Sequence, residues 1–150
     1  MIALIQRVSQ ASVSIGGQVH AQISNGFLVF LGISTTDTAS DLEYICNKII
    51  GLRVFADADQ KMNLNLKDVN GDILLVSQFT LHAMTKKGNR PSFIEAARPE
   101  LAIPLYEQTI QNLNSKLGKS IKTGVFGADM QVSLVNDGPV TISIDSQNRK

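Results

Sequence analysis

Ser77, Gln78 and Thr80 are the residues of this chain whose types and spacing best suit chemistry. They close the stretch Ile73–Ala83, which opens as the unbroken apolar run Ile73, Leu74, Leu75, Val76. Such a run, with Asn70-Gly71 as a turn before it, reads as a central strand buried on both faces. Polar side chains at the end of a buried strand need partners, because an unsatisfied amide or hydroxyl costs about 1–3 kcal/mol. Two readings follow. Either the three side chains bond to neighbouring backbone, or they line a pocket where the strand leaves the core. In a pocket, Ser, Gln, Thr and backbone amides can hold an ester carbonyl or an oxyanion. They supply no proton shuttle, which would have to come from substrate or water. Thr80 is a nucleophile only with a base brought from elsewhere.

The rest of the chain offers little competing chemistry. There is no HExxH, no paired CxxC, no GxSxG elbow and no P-loop. Nothing has metal-ligand spacing, so neither metal nor cofactor is expected. Asp57 and Asp59 read as a turn, since the other positions of a calcium loop are missing. His20 falls in an outer strand and reads as surface. His82 follows the central strand, but no carboxylate of matching phase stands ready to orient it. Cys46 lies on an apolar helical face, a core position rather than a nucleophile. As the only cysteine it makes no intrachain disulfide, which suits a reducing compartment.

Thr85–Phe93 is polar, basic and rich in chain breakers. It reads as an exposed loop, either a solvated surface or a place where Lys86, Lys87 and Arg90 meet phosphate. Because it leaves the strand end that carries Ser77, Gln78 and Thr80, it suits a substrate with a phosphate tail. The net charge of +1 supplies no global field toward nucleic acid or membrane, so any RNA contact must be local.

The elements that position these residues follow from pattern. At 150 residues the expected organisation is a single domain spanning 1–150 with a real core. Residues 2–15 alternate as a strand, with Arg7 either solvated or reaching a backbone carbonyl. Gly16-Gly17 turns the chain into Val19, Ala21 and Ile23. Asn25-Gly26 then leads to a buried strand over 27–33, and the three strands predict an antiparallel meander. Ser40 with Glu43 has capping-box spacing ahead of a helix through Leu42, Ile45, Cys46 and Ile49. Short strands are expected near Leu52–Phe55 and Met62–Leu66. Pro99 opens a second helix and Gly118 closes it. Lys116, Lys119 and Lys122 near its end complement the helix dipole.

Phe126 and Met130 sit in a glycine-punctuated segment, where they pack a core edge or offer a base something to stack on. Gln131–Val135 and Val140–Ile144 read as two strands about a turn at Asn136-Asp137-Gly138-Pro139. An X-Pro bond gives up only about 0.5–1 kcal/mol in the cis form, so Gly138-Pro139 tolerates it, with its two carbonyls then aligned. The opening residues lack the basic leader and apolar stretch of a signal peptide, and no segment is long and apolar enough to span a bilayer. The expectation is a cytoplasmic protein with no membrane partner.

Two separated motifs now carry a resemblance. Ser77-Gln78-Phe79-Thr80-Leu81 and Asn136-Asp137-Gly138-Pro139-Val140-Thr141 resemble the signature pair of the D-aminoacyl-tRNA deacylases. Gly88–Phe93, Met62–Asn65 and Ala3–Val8 are similar to that family as well, so the likeness covers essentially the whole chain. It implies an α+β fold, mainly antiparallel sheets forming a barrel-like core with two main helices packed against it. It implies a homodimeric hydrolase of the ester between a D-amino acid, or glycine, and the terminal ribose of tRNA. Ser77, Gln78, Phe79 and Thr80 would form the catalytic pocket, with Gln78 and the amides near Phe79 on the ester carbonyl. Gly138 and Pro139 of the other subunit, as a cis peptide, would bind the substrate amine and reject L side chains, with Arg7 bracing them and Leu81 beside the pocket. Phe126 and Met130 fall where the terminal adenosine is expected, and Lys86, Lys87 and Arg90 where the tRNA backbone would pass. The ribose 2′-hydroxyl would help activate water. Two other hypotheses compete: a Thr80-nucleophile esterase for small esters, and a non-catalytic RNA- or ligand-binding dimer using the 85–93 loop.

Overall fold

A strand without glycine or proline organises the sheet. In the computed structural model, which describes residues 1–149, β1 (Ile2–Ile15) runs for 14 residues. Next come β2 (Gln18–Ile23), β3 (Gly26–Gly32), α1 (Ala39–Gly51), β4 (Phe55–Ala56), β5 (Met62–Leu64) and β6 (Asp72–Ser77). A 3₁₀ turn (Phe79–His82), α2 (Pro99–Leu117), β7 (Lys122–Thr123) and β8 (Gln131–Asp145) complete the order. The architecture is α+β, and the main sheet curls into a nearly closed, barrel-like shape.

The first three strands are not a meander. β2 pairs with the far half of β1 (Ala11↔Ile23) and β3 with the near half (Val8↔Gly26), both antiparallel and in one register up to a bulge after Val13. They lie end to end along a single edge of β1, interrupted at Ser24-Asn25. The interruption coincides with the arrival of β6: Asp72 N–H donates to Asn25 O at 3.0 Å. A Cβ on Gly26 would lie 2.0 Å from the Asp72 carbonyl oxygen, so only glycine permits this approach. β8 covers the other edge of β1 along both halves, so Asn136–Pro139 is no turn between two strands. Val8 faces Asn136 and Gln6 faces Thr141, which leaves residues 137–140 bulged out of one continuous strand opposite Arg7.

The other half of the sheet is parallel. β6 pairs with β3 (Phe27↔Ile73) and with β7 (Leu75↔Thr123), so each connection needs a crossover, supplied by α1 and α2. Both crossovers step the same way across the sheet, and both helices pack together on one face. Phe27, Val29, Leu31, Ile73 and Leu75 point to that helical side. Leu28, Leu74 and Val76 point to the other, where β2, the far half of β1 and the first half of β8 fold over them. Burial on both faces is why β3 and β6 read as continuous apolar runs.

α1 begins earlier than the sequence pattern predicts. Thr38 is its N-cap, and the Asp41 carboxylate accepts the Thr38 N–H (2.9 Å) and hydroxyl (2.8 Å). Glu43, freed from capping, accepts hydrogen bonds from Asn112 (2.8 Å) and Lys116 (2.7 Å) on α2. Cys46 is fully buried, and burial pushes its thiol up to about 12, as an inert core residue requires. Pro99 and Gly118 bound α2 as expected, Gly118 with φ +79. Among the described residues no helix is long and apolar enough to cross a membrane.

Candidate active site

β6 ends where the sequence places its polar residues, and it ends as a strand there. Gln78 N–H still donates to Leu31 O (2.8 Å), but from Phe79 the chain tightens into the 3₁₀ turn rather than continuing as strand to Ala83. Gly32 makes room for this. A Cβ there would lie 3.0 Å from the Gln78 carbonyl oxygen and 3.0 Å from Leu81 Cβ. The first amides of the turn, those of Phe79 and Thr80, have no carbonyl within the turn to donate to. Gln78 Nε2 donates to Thr80 Oγ1 at 2.5 Å. The Phe79 ring is exposed and meets Phe93 edge-on, centroids 5.1 Å apart.

The end of β6 and the first residue of the turn border a cavity of about 330 Å³. Ser77, Gln78 and Phe79 form one wall. The opposite wall is Phe126, Asp129 and Met130, carried on the segment between β7 and β8. Val132 of β8, Leu31 and Ile33, and the small residues Ala97 and Ala102 also line it. Ala97 is fixed there because its N–H donates to Ile33 O at 2.8 Å. Among the lining residues the sole ionisable side chain is Asp129. A space of this kind can hold an acyl ester and a base-sized ring together, with neutral donors at one side and apolar contact at the other.

Other residues singled out from the sequence lie elsewhere. Thr80 and Leu81 belong to the 3₁₀ turn but do not line the cavity. His82 turns away from it, into a separate concavity with Ser34, Glu95 and Gln147, because Gly32 and Ser34 occupy the face of the chain opposite Leu31 and Ile33. Lys86, Lys87 and Arg90 ride an exposed loop closed by the Met84↔Ser92 bridge, and among the described residues none of them is in an ion pair. Lys116 and Lys119 are already paired, with Glu43 and Asp72.

The second motif forms a tip of its own. Arg7 Nε donates to Asp137 O (3.1 Å) and lies 3.2 Å from Asp137 Oδ2, while its Nη1 donates to Val54 O. The guanidinium therefore ties the bulge of β8 to the start of β4, as an anchoring cation. Gly138 has φ +124 and its peptide to Pro139 is cis. A Cβ on Gly138 would lie 2.9 Å from Arg7 Nη2. The tip is not part of the cavity of its own chain, since Gly138 lies roughly 20 Å of strand beyond Val132.

A family model described as D-Tyr-tRNA(Tyr) deacylase matches residues 4–145. The chain belongs to the D-Tyr-tRNA(Tyr) deacylase family. Relatives named D-aminoacyl-tRNA deacylase from Cytophaga hutchinsonii and Flavobacterium psychrophilum are 61% and 55% identical over 150 residues, the whole of each chain. The structure of a c-Myc DNA unwinding element binding protein superposes with a TM-score of 0.92 at 44% identity, covering 97% of this chain and 98% of that one. A structure described as a probable eukaryotic D-amino acid tRNA deacylase shares the fold at a TM-score of 0.80 and 14% identity, over 95% of this chain and 98% of that one.

Membership of the deacylase family makes the chain an ester hydrolase of aminoacyl-tRNA. Several lining residues carried no signal in the sequence. Ala97, Ala102 and Val132 look like ordinary core positions until the fold collects them. Asp129 sits in a glycine-punctuated segment with nothing to distinguish it. Gly32 did carry a signal, since a glycine inside a buried strand marks a close approach.

Proposed function

We propose that this chain acts as a homodimeric, single-domain D-aminoacyl-tRNA deacylase that uses a tip from one subunit to complete the pocket of the other. Gln78 and the backbone amide of Phe79 hold the ester carbonyl and receive the charge that develops on its oxygen as water attacks. The products are the free D-amino acid and the tRNA 3′ end. Phe126 and Met130 take the terminal adenosine, and Lys86, Lys87 and Arg90 lie along the phosphates beyond it. The aligned carbonyls of the partner's Gly138-Pro139 peptide bind the ammonium and leave no space for an L side chain. Exclusion of this kind is indifferent to what a D side chain is, and glycine has none to reject, so glycyl-tRNA is also a substrate. The reading carries a cytoplasmic location, where aminoacyl-tRNA is used.

The observation that carries this proposal is a separation. The two motifs lie apart within one chain, and the cavity by itself has nothing that would tell D from L. Among the described residues the cavity wall carries no histidine or lysine, which further supports a reaction in which the substrate's own ribose 2′-hydroxyl helps to activate the water.

The deciding experiment compares D-tyrosyl-tRNA, L-tyrosyl-tRNA and a D-tyrosyl-tRNA whose terminal residue is 2′-deoxyadenosine. Rapid loss of the D ester alone is the expected result. Hydrolysis of the deoxy substrate at the normal rate would move the base role to Asp129, with Asp129→Asn as the check. A folded dimer that binds tRNA and hydrolyses none of the three would leave a binding module instead.

A further inference from the structure

Tyr106 is buried in α2 and does not line the cavity, yet it touches one wall, at Phe126, and the strand that carries the other, at Leu75. Its hydroxyl donates to the Leu75 carbonyl oxygen at 3.0 Å, on β6 two residues before Ser77. Its ring meets that of Phe126, centroids 5.8 Å apart at 59°. The Leu75 oxygen also accepts Gly124 N–H at 2.9 Å, so both of its lone pairs are used. Burial pushes the phenol above its usual range, and it remains a donor at neutral pH.

The segment that carries Phe126 has few backbone hydrogen bonds to the rest of the fold, and Met130 at its far end packs against the second core cluster. β7 pairs with β6 only at Leu74↔Lys122 and Leu75↔Thr123 before the chain departs at Gly124. The Ala128 N–H to Val125 O bond (3.1 Å) closes a turn inside the segment but anchors it to nothing else. We infer that Tyr106 is a positioning residue for the deacylase: by clamping the end of β7 to β6 and backing Phe126, it sets the width of the cavity and the plane of its aromatic wall. The inference rests on the proposed function only in naming what packs there, the 3′-terminal nucleoside of the substrate.

Two measurements test it. In steady-state kinetics on D-tyrosyl-tRNA, Tyr106→Leu should raise KM about tenfold and leave kcat within about twofold, because the carbonyl-binding groups are untouched. Tyr106→Phe keeps the ring and leaves Leu75 its Gly124 partner, so KM should rise only about two- to threefold. Phe126→Leu should mimic Tyr106→Leu, and the double variant should be no worse than either single, since both remove one contact. Additive losses, a fall in kcat with KM unchanged, or a Tyr106→Phe variant as poor as Tyr106→Leu would overturn the inference.

The second measurement needs no activity. The chain has no tryptophan, so Phe126→Trp places a single reporter in the wall. Adding Tyr106→Leu should shift its emission to the red and raise its quenching by acrylamide about twofold as the backing is lost. Unchanged emission would sink the inference. If the unaltered protein hydrolyses no aminoacyl-tRNA at all, the functional reading falls, and the fluorescence pair still decides the role of Tyr106.

Discussion

The Gln78 amide donates to the Thr80 hydroxyl at 2.5 Å, which gives that hydroxyl work to do without any nucleophilic step. A flexible glutamine beside a carbonyl site is useful only if its amide is held in one orientation. Thr80→Val should therefore lower kcat/KM about tenfold, with Thr80→Ser close to the parent. Mass spectrometry of acid-quenched turnover should find no acyl-enzyme, and a trapped adduct on Thr80 would reverse this assignment. Gly138 shows the same logic in the backbone. Its φ of +124 is open to glycine, and a Cβ would press on Arg7 Nη2 at 2.9 Å and Val140 Cγ2 at 3.0 Å. Gly138→Ala should cost about 1–3 kcal/mol in stability. Because the strain falls on the tip, the ratio of D to L hydrolysis should fall as well. Retained discrimination would detach the tip from chiral selection.

Between elements, two contacts hold the scaffold that delivers these residues. Gly26 lets β6 dock against β3, and the Asp72 carbonyl oxygen occupies the space a side chain would need. Gly26→Ala forces backbone apart from backbone, so denaturant unfolding should show a loss above about 4 kcal/mol, or no folded protein. On the helical face, Glu43 pins α1 to α2. Its hydrogen bond from Lys116, aided by Asn112, holds its carboxyl below the ordinary value of 4.5. A folded-state value lower than the unfolded one stabilises the fold above the unfolded value, and that gain disappears as the pH falls through the folded value. Glu43→Gln should therefore melt earlier than the parent at pH 7, with the gap closing as the pH falls below the ordinary carboxyl value. A gap independent of pH would mean that the pair contributes through packing alone.

At the scale of the whole molecule, one chain presents a pocket and a tip that do not meet. A two-fold dimer that seats each tip in the opposite pocket satisfies both at once. Sedimentation should find a dimer at working concentration. Gln78→Ala and Gly138→Ala chains, each poorly active alone, should recover about a quarter of the parent rate when co-expressed, because half the dimers are mixed and each mixed dimer holds one intact site. No recovery would place both motifs in the same subunit's chemistry.

Local chemistry was legible without coordinates. The buried run before Ser77, the helix bounds at Pro99 and Gly118, the core position of Cys46 and the anchoring option for Arg7 all follow from side-chain pattern and backbone preference. Register and distance were not. The apolar pattern of β2 and β3 is the same whether they follow as a meander or lie end to end along β1, and only the approach of Asp72 at Gly26 selects the second. Asn136–Pro139 has the composition of a turn, and pairing along the whole of β1 makes it a bulge. His82 is near Thr80 in sequence, but Gly32 lets the 3₁₀ turn pack so closely that its imidazole faces another cavity. Which residues share a wall depends on the curl of the sheet, a sum of many long-range contacts that no short stretch of sequence encodes.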